Sequence, residues 1–534
     1  MAITPLMIRL APRLRMVDLP DPRKVHAKAI PRVGGIGIVL GTLASLLLWL
    51  PPESWLHSYL LGSVVLLIFG AADDSMELGH YPKFVGQIIA AVAVVYWGDV
   101  WVSHLPFLAT AISPVYGKPF TVFALVGVMN AMNHSDGLDG LAGGESLLSM
   151  SAAAYLAYLA GGTSVVLLAA AVIGGVFGFL RFNTHPAQVF MGDSGSQFIG
   201  YSVGVLAILL TQNVNTSLSM ALPALIIGLP IVDILAVFAQ RVQGGMNWFR
   251  ATRNHIHHRL LDLGFKHHQV VILIYSVQAV LVLSAILMAY ESDLAVVMIY
   301  LAVCAAVFAL IVAAERSGWR VNAKKIGADN DESERIPDGE MIRGILRAVP
   351  MWFIRVTIPI YLLVGGLAAA KIPFDIAVVA GSVLAFAGLS LMVRTGSARL
   401  MLLRLALYLG AACEVFLWHG AGGSSSEMMT SIEGAYFILL GVSVAFALRM
   451  ESAHGFRTTP LDFLMVFVVV AAAALSGRAF SDGPVGVDVI VRLAILFYAS
   501  ELAISGNLAR GRKLSQWSLI GASLLLIGKT LSLV

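Results

Sequence analysis

The chain has 534 residues, 58% of them hydrophobic and only 12% charged, with a formal net charge of +4 and a mean hydropathy of +0.85. So apolar a composition excludes a soluble globular protein, and so small a net charge argues against a nucleic-acid partner. Apolar runs of about 20 residues, enough to cross a bilayer as a helix, recur along the chain. These runs are apolar at every position, whereas barrel strands alternate in polarity. The predicted fold class is all-α, a polytopic transmembrane helical bundle.

About ten apolar runs predict the membrane helices of the first half. They lie near residues 34–50, 58–72, 84–97, 119–132, 144–161, 163–182, 196–211, 218–240, 269–290 and 294–314. After a hydrophilic break, six or seven further runs predict a second membrane domain. These lie near 350–370, 374–393, 401–418, 432–449, 460–476, 485–506 and 516–533. The predicted organisation is a basic N-terminal segment (1–33), a first membrane domain (34–316), a cytoplasmic linker (317–345) and a C-terminal membrane domain (346–534).

Basic residues are concentrated at the N-terminus and in alternate connections, including Arg241 and Arg259. Because cytoplasmic loops carry an excess of lysine and arginine, these parts of the chain are expected in the cytoplasm. The first 33 residues have no apolar core typical of a secretory signal, so no cleavable signal is expected. Residues 6–16 predict either a basic amphipathic segment on the membrane surface or a disordered tail. Cys304 and Cys413 lie in apolar runs and are expected to be reduced.

Four polar segments interrupt the apolar runs, and all fall on the predicted cytoplasmic side. They are Asp73–Asp74, Asn130–Gly144, Phe190–Ser196 and His255–His258. A carboxylate at the bilayer centre costs roughly 2.5–3.5 kcal/mol, so scattered carboxylates would be strongly unfavourable unless they shared a polar cavity. The sequence therefore predicts one active site at one membrane face.

The adjacent residues Asp73 and Asp74 end an apolar run and bring two carboxylates to the membrane surface. Such a pair can orient Mg²⁺ or accept a proton. Lys83 lies at the start of the next helix and offers a point charge suited to phosphate oxygens. The alternative is a solvated interfacial loop, which is the commoner arrangement for charges that flank a membrane span.

The segment that begins at Asn130 is more specific. Asn130, Asn133, Asp136 and Asp139 follow one another at three-residue intervals, so on a helical path they would crowd one face. Hard oxygen ligands at this spacing suit Mg²⁺ or the hydroxyls of a nucleotide, and the glycines allow a ligand close to the backbone. A purely structural turn would not need four such side chains.

Residues 190–196 open a predicted helix, where free backbone N–H groups favour an anion and Asp193 can hold its metal. Phe190 is suited to stacking on a base, and an ordinary helix cap is the alternative interpretation. His255, His257 and His258 lie in a basic loop with no cysteine or carboxylate nearby to complete a zinc site. Contact with phosphate or substrate is therefore favoured over zinc, with a simple polar loop as the alternative.

Together these segments resemble the polyprenyl-phosphate N-acetylhexosamine-1-phosphate transferase family over about residues 16–316. The resemblance also includes Val17, Asp18, Pro20, Arg23, Lys24, His26, Pro31, Arg32, Gly34, Gly35, Phe182, Asn183, Pro186 and Ala187. The histidine segment, followed by Arg259 and Leu260, is similar to the branch that initiates enterobacterial common antigen, O-antigen and teichoic-acid synthesis.

The resemblance implies an enzyme that transfers N-acetylhexosamine-1-phosphate from UDP-GlcNAc, or a related UDP-sugar, to undecaprenyl phosphate and releases UMP. The implied setting is the cytoplasmic face of a bacterial inner membrane, at the first membrane step of surface-polysaccharide synthesis. The implied cofactor is Mg²⁺, with Mn²⁺ as the alternative ion. Direct attack by the acceptor phosphate is favoured over a phospho-enzyme, because a phosphate monoester is already largely ionised near neutral pH.

The same resemblance implies a role for each candidate residue. Asn133 and Asp193 would hold the metal. Asp73, Asp74, Asp136 and Lys83 would act in catalysis. Substrate contacts would come from Asn130, Asp139, Asn183, Phe190, His255, His257 and His258.

Three features depart from the family pattern. Few residues precede Val17, so the family's first span is expected to be missing or the start to be atypical. Residues 251–253 stand where an aspartate commonly precedes the histidines. The chain after about Arg343 lies outside the resemblance, and its charges at membrane depth, with Arg404 and Glu414 as one candidate pair, are expected to face the bundle interior or a partner. This half is expected to serve partner docking, homodimer formation or lipid handling. A non-catalytic transporter or lipid-handling membrane protein that kept the transferase fold is the alternative function.

Overall fold

The computed structural model describes residues 3–20, 29–245, 254–321, 340–368, 372, 374–393, 396–420, 427–451, 487–505 and 509–531. Over these ranges the regular structure is helical, apart from a two-residue antiparallel ribbon in which Val17 pairs with Pro31 and Asp18 with Ile30. The predicted all-α polytopic fold is confirmed.

Thirteen helices are described before residue 317. They are α1 (Thr4–Leu10), α2 (Gly34–Trp49), α3 (Leu56–Met76), α4 (His80–Val92), α5 (Pro114–Ser135), α6 (Leu141–Leu159), α7 (Thr163–Asn183), α8 (Gly192–Ile208), α9 (Leu222–Ile227), α10 (Leu229–Gln243), α11 (Ile256–Asp262), α12 (His267–Leu287) and α13 (Asp293–Arg316). Short π-helical turns extend α4 over Ala93–Trp97 and α8 over Leu209–Val214. Six of the described helices, namely α3, α5, α7, α8 with its extension, α12 and α13, are long and apolar enough to cross a membrane.

Helix α8 forms the centre of the first half and is buried along its whole length from Ser194. Small residues allow its neighbours to approach this closely. A Cβ added to Gly35 on α2 would lie 2.2 Å from the backbone nitrogen of Gly195, and one added to Gly70 on α3 would lie 2.3 Å from the Cα of Ser194. Close backbone contact through small residues is the usual way in which membrane helices pack. This packing brings the ends of α2 and α3 to the start of α8.

The predicted run 218–240 is interrupted at Gly228, which separates α9 from α10 and has a φ of +63°. Pro230 follows and has no N–H to continue a helix. The side chain of Gln278 on α12 satisfies the broken backbone: its Oε1 accepts from Leu229 N at 3.2 Å and its Nε2 donates to Ile226 O at 3.0 Å. A helix break is tolerated in a membrane protein where neighbouring side chains replace the lost hydrogen bonds.

The N-terminal segment reaches the same end of the bundle as the break between α7 and α8. Residues after the ribbon pair with the chain just before α8, since Phe190 N donates to Pro31 O at 2.7 Å and Gly34 N donates to Phe190 O at 3.0 Å. The Arg32 guanidinium forms an ion pair with Asp18. Residues 21–28, which include several basic residues of the N-terminal segment, and residues 251–253 lie outside the described residues.

The second half forms another helical cluster with its own apolar core, around residues such as Ile358, Leu407 and Leu440. Its described helices are α14 (Glu340–Ala368), α15 (Phe374–Met392), α16 (Gly396–Gly420), α17 (Glu427–Glu451), α18 (Val487–Ser505) and α19 (Ala509–Leu531). They overlap six of the seven predicted runs, and the run 460–476 lies outside the described residues. Helix α14 starts inside the predicted linker.

The candidate pair Arg404 and Glu414 is wrong as an interhelical contact, because both residues belong to α16. Ten positions along one helix correspond to roughly 15 Å, which is too far for an ion pair. Glu433 on α17 instead pairs with Arg492 on α18 at 2.7 Å.

Candidate active site

A polar cavity of about 980 Å³ lies where the C-terminal ends of α3 and α5 meet the N-terminal end of α8. Ten of the thirteen candidate residues from the sequence line it. They are Asp73, Asp74, Lys83, Asn133, Asp136, Asp139, Asn183, Phe190, Asp193 and His258. Residues from all four polar segments are thus brought to one cavity, although the roles assigned to them stay predictions.

One side of the cavity is built around the ammonium group of Lys83. It lies 2.8 Å from Asp73 Oδ2 and also forms an ion pair with Asp193. Asn133 Nδ2 donates to Asp193 Oδ1 at 2.7 Å and to Ser196 Oγ at 2.8 Å, which fixes the orientation of the Asp193 carboxylate. Three helices and the start of α4 therefore contribute to a single cluster of charge.

This cluster fits a hard divalent cation. Asp73 Oδ1 is buried and has no hydrogen-bond partner among the described residues, and a buried carboxylate oxygen left in this state needs a cation or a proton. The other oxygens of Asp73 and Asp193 share the positive charge of Lys83, so a cation is already favoured between them. Carboxylate and amide oxygens are the ligands that Mg²⁺ and Mn²⁺ accept.

Asp74 has a different environment from its neighbour Asp73. Its Oδ1 accepts from Asp193 N at 2.8 Å, and its Oδ2 accepts from Ser194 N at 3.2 Å and from Ser194 Oγ at 3.0 Å. These N–H groups belong to the first turn of α8, where a carboxylate also interacts favourably with the helix dipole. Gly192, at a φ of +74°, has no Cβ that would meet this carboxylate. Asp74 is therefore placed to hold the start of α8, and with it Asp193.

Asp136 is the first residue after α5, not a residue of the helix. The three-residue spacing therefore does not continue as one helical face, because the chain turns at Asp136 and Gly137. Burial raises the pKa of Asp136 to about 7, and the negative charges of Asp193, Asp74 and Asp139 add to the effect. A carboxyl group with this pKa can exchange a proton near neutral pH.

Asp139 lies in the same turn but is well supplied with hydrogen bonds. Its Oδ2 accepts from His185 Nδ1 at 2.7 Å and from Ala187 N at 3.1 Å, and His267 Nε2 lies 4.0 Å away. Burial alone would raise the pKa of Asp139, but these donors and the nearby His267 hold it below its usual value. Asp139 therefore remains a carboxylate where Asp136 can be protonated.

Asn183 joins the two loops that carry these residues. Its Oδ1 accepts from Gly140 N at 2.8 Å, and its Nδ2 donates to Val189 O at 2.8 Å. Tyr275 OH also donates to Gly140 O at 2.5 Å. Asn183 therefore lies in the cavity wall, and its two hydrogen bonds link the loop after α5 to the loop before α8.

Asn130 does not line the cavity. It lies about one turn deeper along α5, where its Nδ2 donates to Gln87 Oε1 on α4 and to Val126 O, both at 2.8 Å. The structure therefore does not place Asn130 where its predicted contact with substrate requires. Its amide group instead links α5 to α4.

Of the three histidines, only His258 lines the cavity. His255 and His257 are buried behind the wall, and a Cβ added to Gly137 would lie 2.3 Å from the ring of His257. Burial and the nearby His258 lower the pKa of His257 to about 3, so its ring is neutral. The His257 ring thus packs against the turn that carries Asp136.

Sequence reasoning missed the residue that orients His255. Asp233 on α10 accepts from His255 Nδ1 at 2.8 Å and from Ile256 N at 2.9 Å, which fixes the start of α11. Asp233 lies 22 positions from His255 in sequence, so the residues around the histidines did not reveal it. An ionisable residue inside the predicted span 218–240 is the signal that could have identified it. Glu145 on α6 is also an ionisable residue inside a predicted span, and its carboxylate accepts a hydrogen bond from Ser135 Oγ.

Comparison with known proteins gives a consistent result. Residues 56–211 match the model of glycosyl transferase family 4. A probable undecaprenyl-phosphate N-acetylglucosaminyl 1-phosphate transferase of Bacillus subtilis is 35% identical over 289 residues, which cover 54% of this chain and 81% of the relative. The chain belongs to the polyprenyl-phosphate N-acetylhexosamine-1-phosphate transferase family.

Two further relatives support this membership. An undecaprenyl-phosphate alpha-N-acetylglucosaminyl 1-phosphate transferase of Escherichia coli strain K12 is 31% identical over 294 residues, or 53% of this chain and 79% of the relative. A decaprenyl-phosphate N-acetylglucosaminephosphotransferase of Mycobacterium leprae is 33% identical over 303 residues, or 50% of this chain and 75% of the relative. The predicted family is confirmed, and the chain is a multi-pass membrane transferase.

Proposed function

We propose that the protein transfers N-acetylglucosamine-1-phosphate from UDP-GlcNAc to undecaprenyl phosphate and releases UMP. The observation that supports this most is the single cavity in which Lys83, Asp73 and Asp193 form one charge cluster at the ends of membrane helices. A site of this kind can hold a diphosphate next to the surface from which a lipid phosphate approaches. The three relatives are all named for N-acetylglucosamine phosphate transfer, two of them to undecaprenyl phosphate and one to decaprenyl phosphate, which supports the choice of sugar and of a polyprenyl phosphate acceptor.

In the proposed reaction an oxygen of the lipid phosphate attacks the sugar-bearing phosphorus of the donor. The new phosphorus–oxygen bond forms as the bond to UMP breaks, and UMP leaves with the electron pair. Little covalent assistance is needed, so catalysis comes mainly from positioning and from neutralising charge. Lys83 contributes a positive charge that can stabilise the bridging oxygen of the donor as this oxygen becomes negative.

Asp73, Asp193 and Asn133 would hold Mg²⁺, or Mn²⁺ in its place. The ion, when bound, neutralises the diphosphate of the donor and stabilises the departing UMP. Asp74 keeps the first turn of α8 in position, so that Asp193 and the free N–H groups of that turn face the donor. The proposed metal ligands thus depend on a carboxylate that does not itself touch the ion.

Asp136 would accept the last proton of the lipid phosphate. Phosphate monoesters have a second pKa near 6, so a fraction of the acceptor is still protonated at neutral pH. A carboxyl group with a pKa of about 7 is matched to remove that proton. Asp139 and Phe190 would contact the uridine at another part of the cavity wall, and His258 the sugar and phosphate.

The reaction is tested with purified full-length protein in detergent, by measuring UMP release from UDP-GlcNAc. Release is expected only when both undecaprenyl phosphate and Mg²⁺ are present, and mass spectrometry should detect the lipid diphosphate sugar. A panel of UDP-hexosamines then defines the donor. No UMP release from any donor, while the protein still binds the lipid phosphate, would instead favour a lipid-handling protein that kept the transferase fold.

We also propose that the cavity opens to the cytoplasm of a bacterial inner membrane, where UDP-sugars are made and where surface-polysaccharide synthesis begins. The basic connections near Arg241 and Arg259 lie toward the same end of the helices as the cavity and support this orientation. Labelling of a cysteine placed at Glu77, on the cavity rim, should require a membrane-permeant thiol reagent in intact cells.

A further inference from the structure

Three side chains at one part of the cavity form a group that the proposed reaction does not use as a unit. They are Asp139 from the loop after α5, His185 from the loop before α8, and His267 at the start of α12. One carboxylate oxygen and one ring nitrogen from each histidine all lie within 4.8 Å of one another. All three residues line the cavity.

The distances are close to those of a coordinated metal. Zinc binds imidazole nitrogen and carboxylate oxygen at about 2.0–2.2 Å, which separates two ligand atoms in a tetrahedral site by roughly 3.3 Å. His185 Nδ1 and His267 Nε2 lie 2.7 Å and 4.0 Å from Asp139 Oδ2. These two distances bracket the expected value.

Both ring nitrogens of His267 are buried, and within the part of the chain that the structure describes neither meets the geometry of a full hydrogen bond. The polar interactions of the ring are with the backbone and the carboxylate of Asp139, whose Oδ2 lies 4.0 Å from Nε2. Buried polar atoms are normally satisfied, so ring nitrogens this weakly engaged are compatible with a ligand. The ring also stacks on His185, with centroids 4.3 Å apart and planes at 22°. One ring must tilt from this stack for both nitrogens to face one ion.

We propose that Asp139, His185 and His267 bind one divalent transition-metal ion of the zinc class, separately from the magnesium cluster. Two imidazoles and one carboxylate suit zinc, cobalt or nickel, whereas magnesium prefers a set made of oxygens alone. Water from the adjoining cavity would supply further ligands. The two sites are thus distinguished by the chemistry of their ligands, although they line one cavity.

Ion binding requires a proton to move at His185. The Asp139 carboxylate only accepts hydrogen bonds, so the Nδ1 that contacts it carries the proton when no ion is bound. Coordination by Nδ1 would shift that proton to Nε2 of the same ring.

The test uses full-length protein in detergent, stripped of metal with a chelator and titrated with Zn²⁺ and with Co²⁺ as a coloured probe. One equivalent of Co²⁺ should bind with the visible absorption of a nitrogen- and oxygen-ligated ion, and Zn²⁺ should displace it. His267→Gln and His185→Gln should each weaken binding by at least about 100-fold. His268→Gln is the matched control, since it removes an adjacent imidazole outside the cavity wall and should leave the affinity unchanged.

Asp193→Asn separates this site from the magnesium cluster and should leave Co²⁺ affinity unchanged. Size-exclusion profiles of the variants confirm that each remains folded. The proposal is overturned if Co²⁺ shows no saturable binding, if His267→Gln binds it as tightly as the unaltered protein, or if Asp193→Asn abolishes the binding.

Discussion

The two membrane halves of this protein differ in how their buried charged side chains are arranged. In the first half the carboxylates converge, so that Asp73, Asp193 and Asp136 all line one cavity of about 980 Å³. In the second half, within its described residues, Glu433 is paired with Arg492 at 2.7 Å and also accepts from Tyr361 OH at 3.4 Å. Glu414 is buried beside a space of only about 10 Å³, enough for one water molecule.

This difference separates two uses of charge in an apolar protein. Like charges that share a cavity repel one another until a cation or a cationic side chain joins them, so their arrangement indicates a ligand. A carboxylate paired with an arginine between helices is already neutralised, and such a pair holds helices in a fixed register. The arrangement in the first half fits the charged substrate proposed above, whereas the pair of Glu433 and Arg492 contributes to the packing of the second half.

The largest effect expected from this comparison is at Asp193. Asp193→Asn should lower kcat by about 10³-fold, because it removes one anionic oxygen from the proposed metal site and the partner of Lys83. Asp99→Asn is the matched control, as Asp99 is exposed and pairs with Lys118 away from the cavity. UMP release measured at saturating Mg²⁺ gives the comparison. Equal turnover in Asp193→Asn and Asp99→Asn would show that the cluster does not act in catalysis.

The second expected effect is on stability and lies in the other half. Glu433→Gln should destabilise the protein by about 3 kcal/mol, because it leaves the mostly buried Arg492 without its counter-charge. Its kcat at a temperature where it is folded should remain close to that of the unaltered protein. Thermal unfolding in detergent and the UMP assay measure the two quantities. A loss of turnover without a loss of stability would mean that the second half takes part in the reaction.

A third effect concerns pH. Asp136 should be protonated in the folded protein below about pH 7 and ionised above it, so activity should rise as the pH passes through about 7. Asp136→Asn should lower kcat by about 10²-fold and remove that rise. The fold disfavours the charged form, so the stability of the unaltered protein should fall as the pH rises from about 4 to 7, and Asp136→Asn should be the more stable protein at pH 8.

The pH profile of kcat and the unfolding temperatures at pH 5 and pH 8 provide these measurements. An unchanged profile in Asp136→Asn would assign the titration to the lipid phosphate alone.

The smallest effect is expected at Asp233, which acts through His255. Asp233→Asn keeps one oxygen for Ile256 N but presents an amide to His255 Nδ1 in place of a carboxylate. We expect α11 to shift when this hydrogen bond is weakened, and the turn that packs on His257 to shift with it. The expected loss in kcat/KM is about 10-fold. Asp233→Glu should recover part of it. A change confined to unfolding temperature would show that Asp233 serves stability only.

The sequence predicted the helices and the grouping of the site well, because both follow from local patterns. Apolar runs mark α3, α5 and α8, and the position of polar residues at their ends indicates a common membrane face. The roles of neighbouring residues were harder to predict. Asp73 and Asp74 are adjacent in sequence, yet only the packing of α3 on α8 shows that Asp74 binds the first turn of α8.

Contacts between distant parts of the chain account for the remaining differences. Asp233 reaches His255 because the break at Gly228 redirects α10, and no local pattern specifies that direction. His185 and His267 are 82 positions apart, and the stack between them depends on how α12 begins beside the loop before α8. The second half could be predicted as membrane helices, but the pairing of Glu433 with Arg492 requires the packing of α17 against α18.

The central claim is that Asp73, Asn133 and Asp193 hold one divalent ion against the diphosphate of the donor. The most direct measurement is the electron spin resonance of Mn²⁺ bound to the full-length protein together with UDP-GlcNAc. We expect one bound Mn²⁺ with magnetic coupling to donor ³¹P, lost in Asp193→Asn and kept in Asp99→Asn. Donor that binds with full affinity in the absence of any divalent ion, or Mn²⁺ that shows no coupling to phosphorus, would contradict the account.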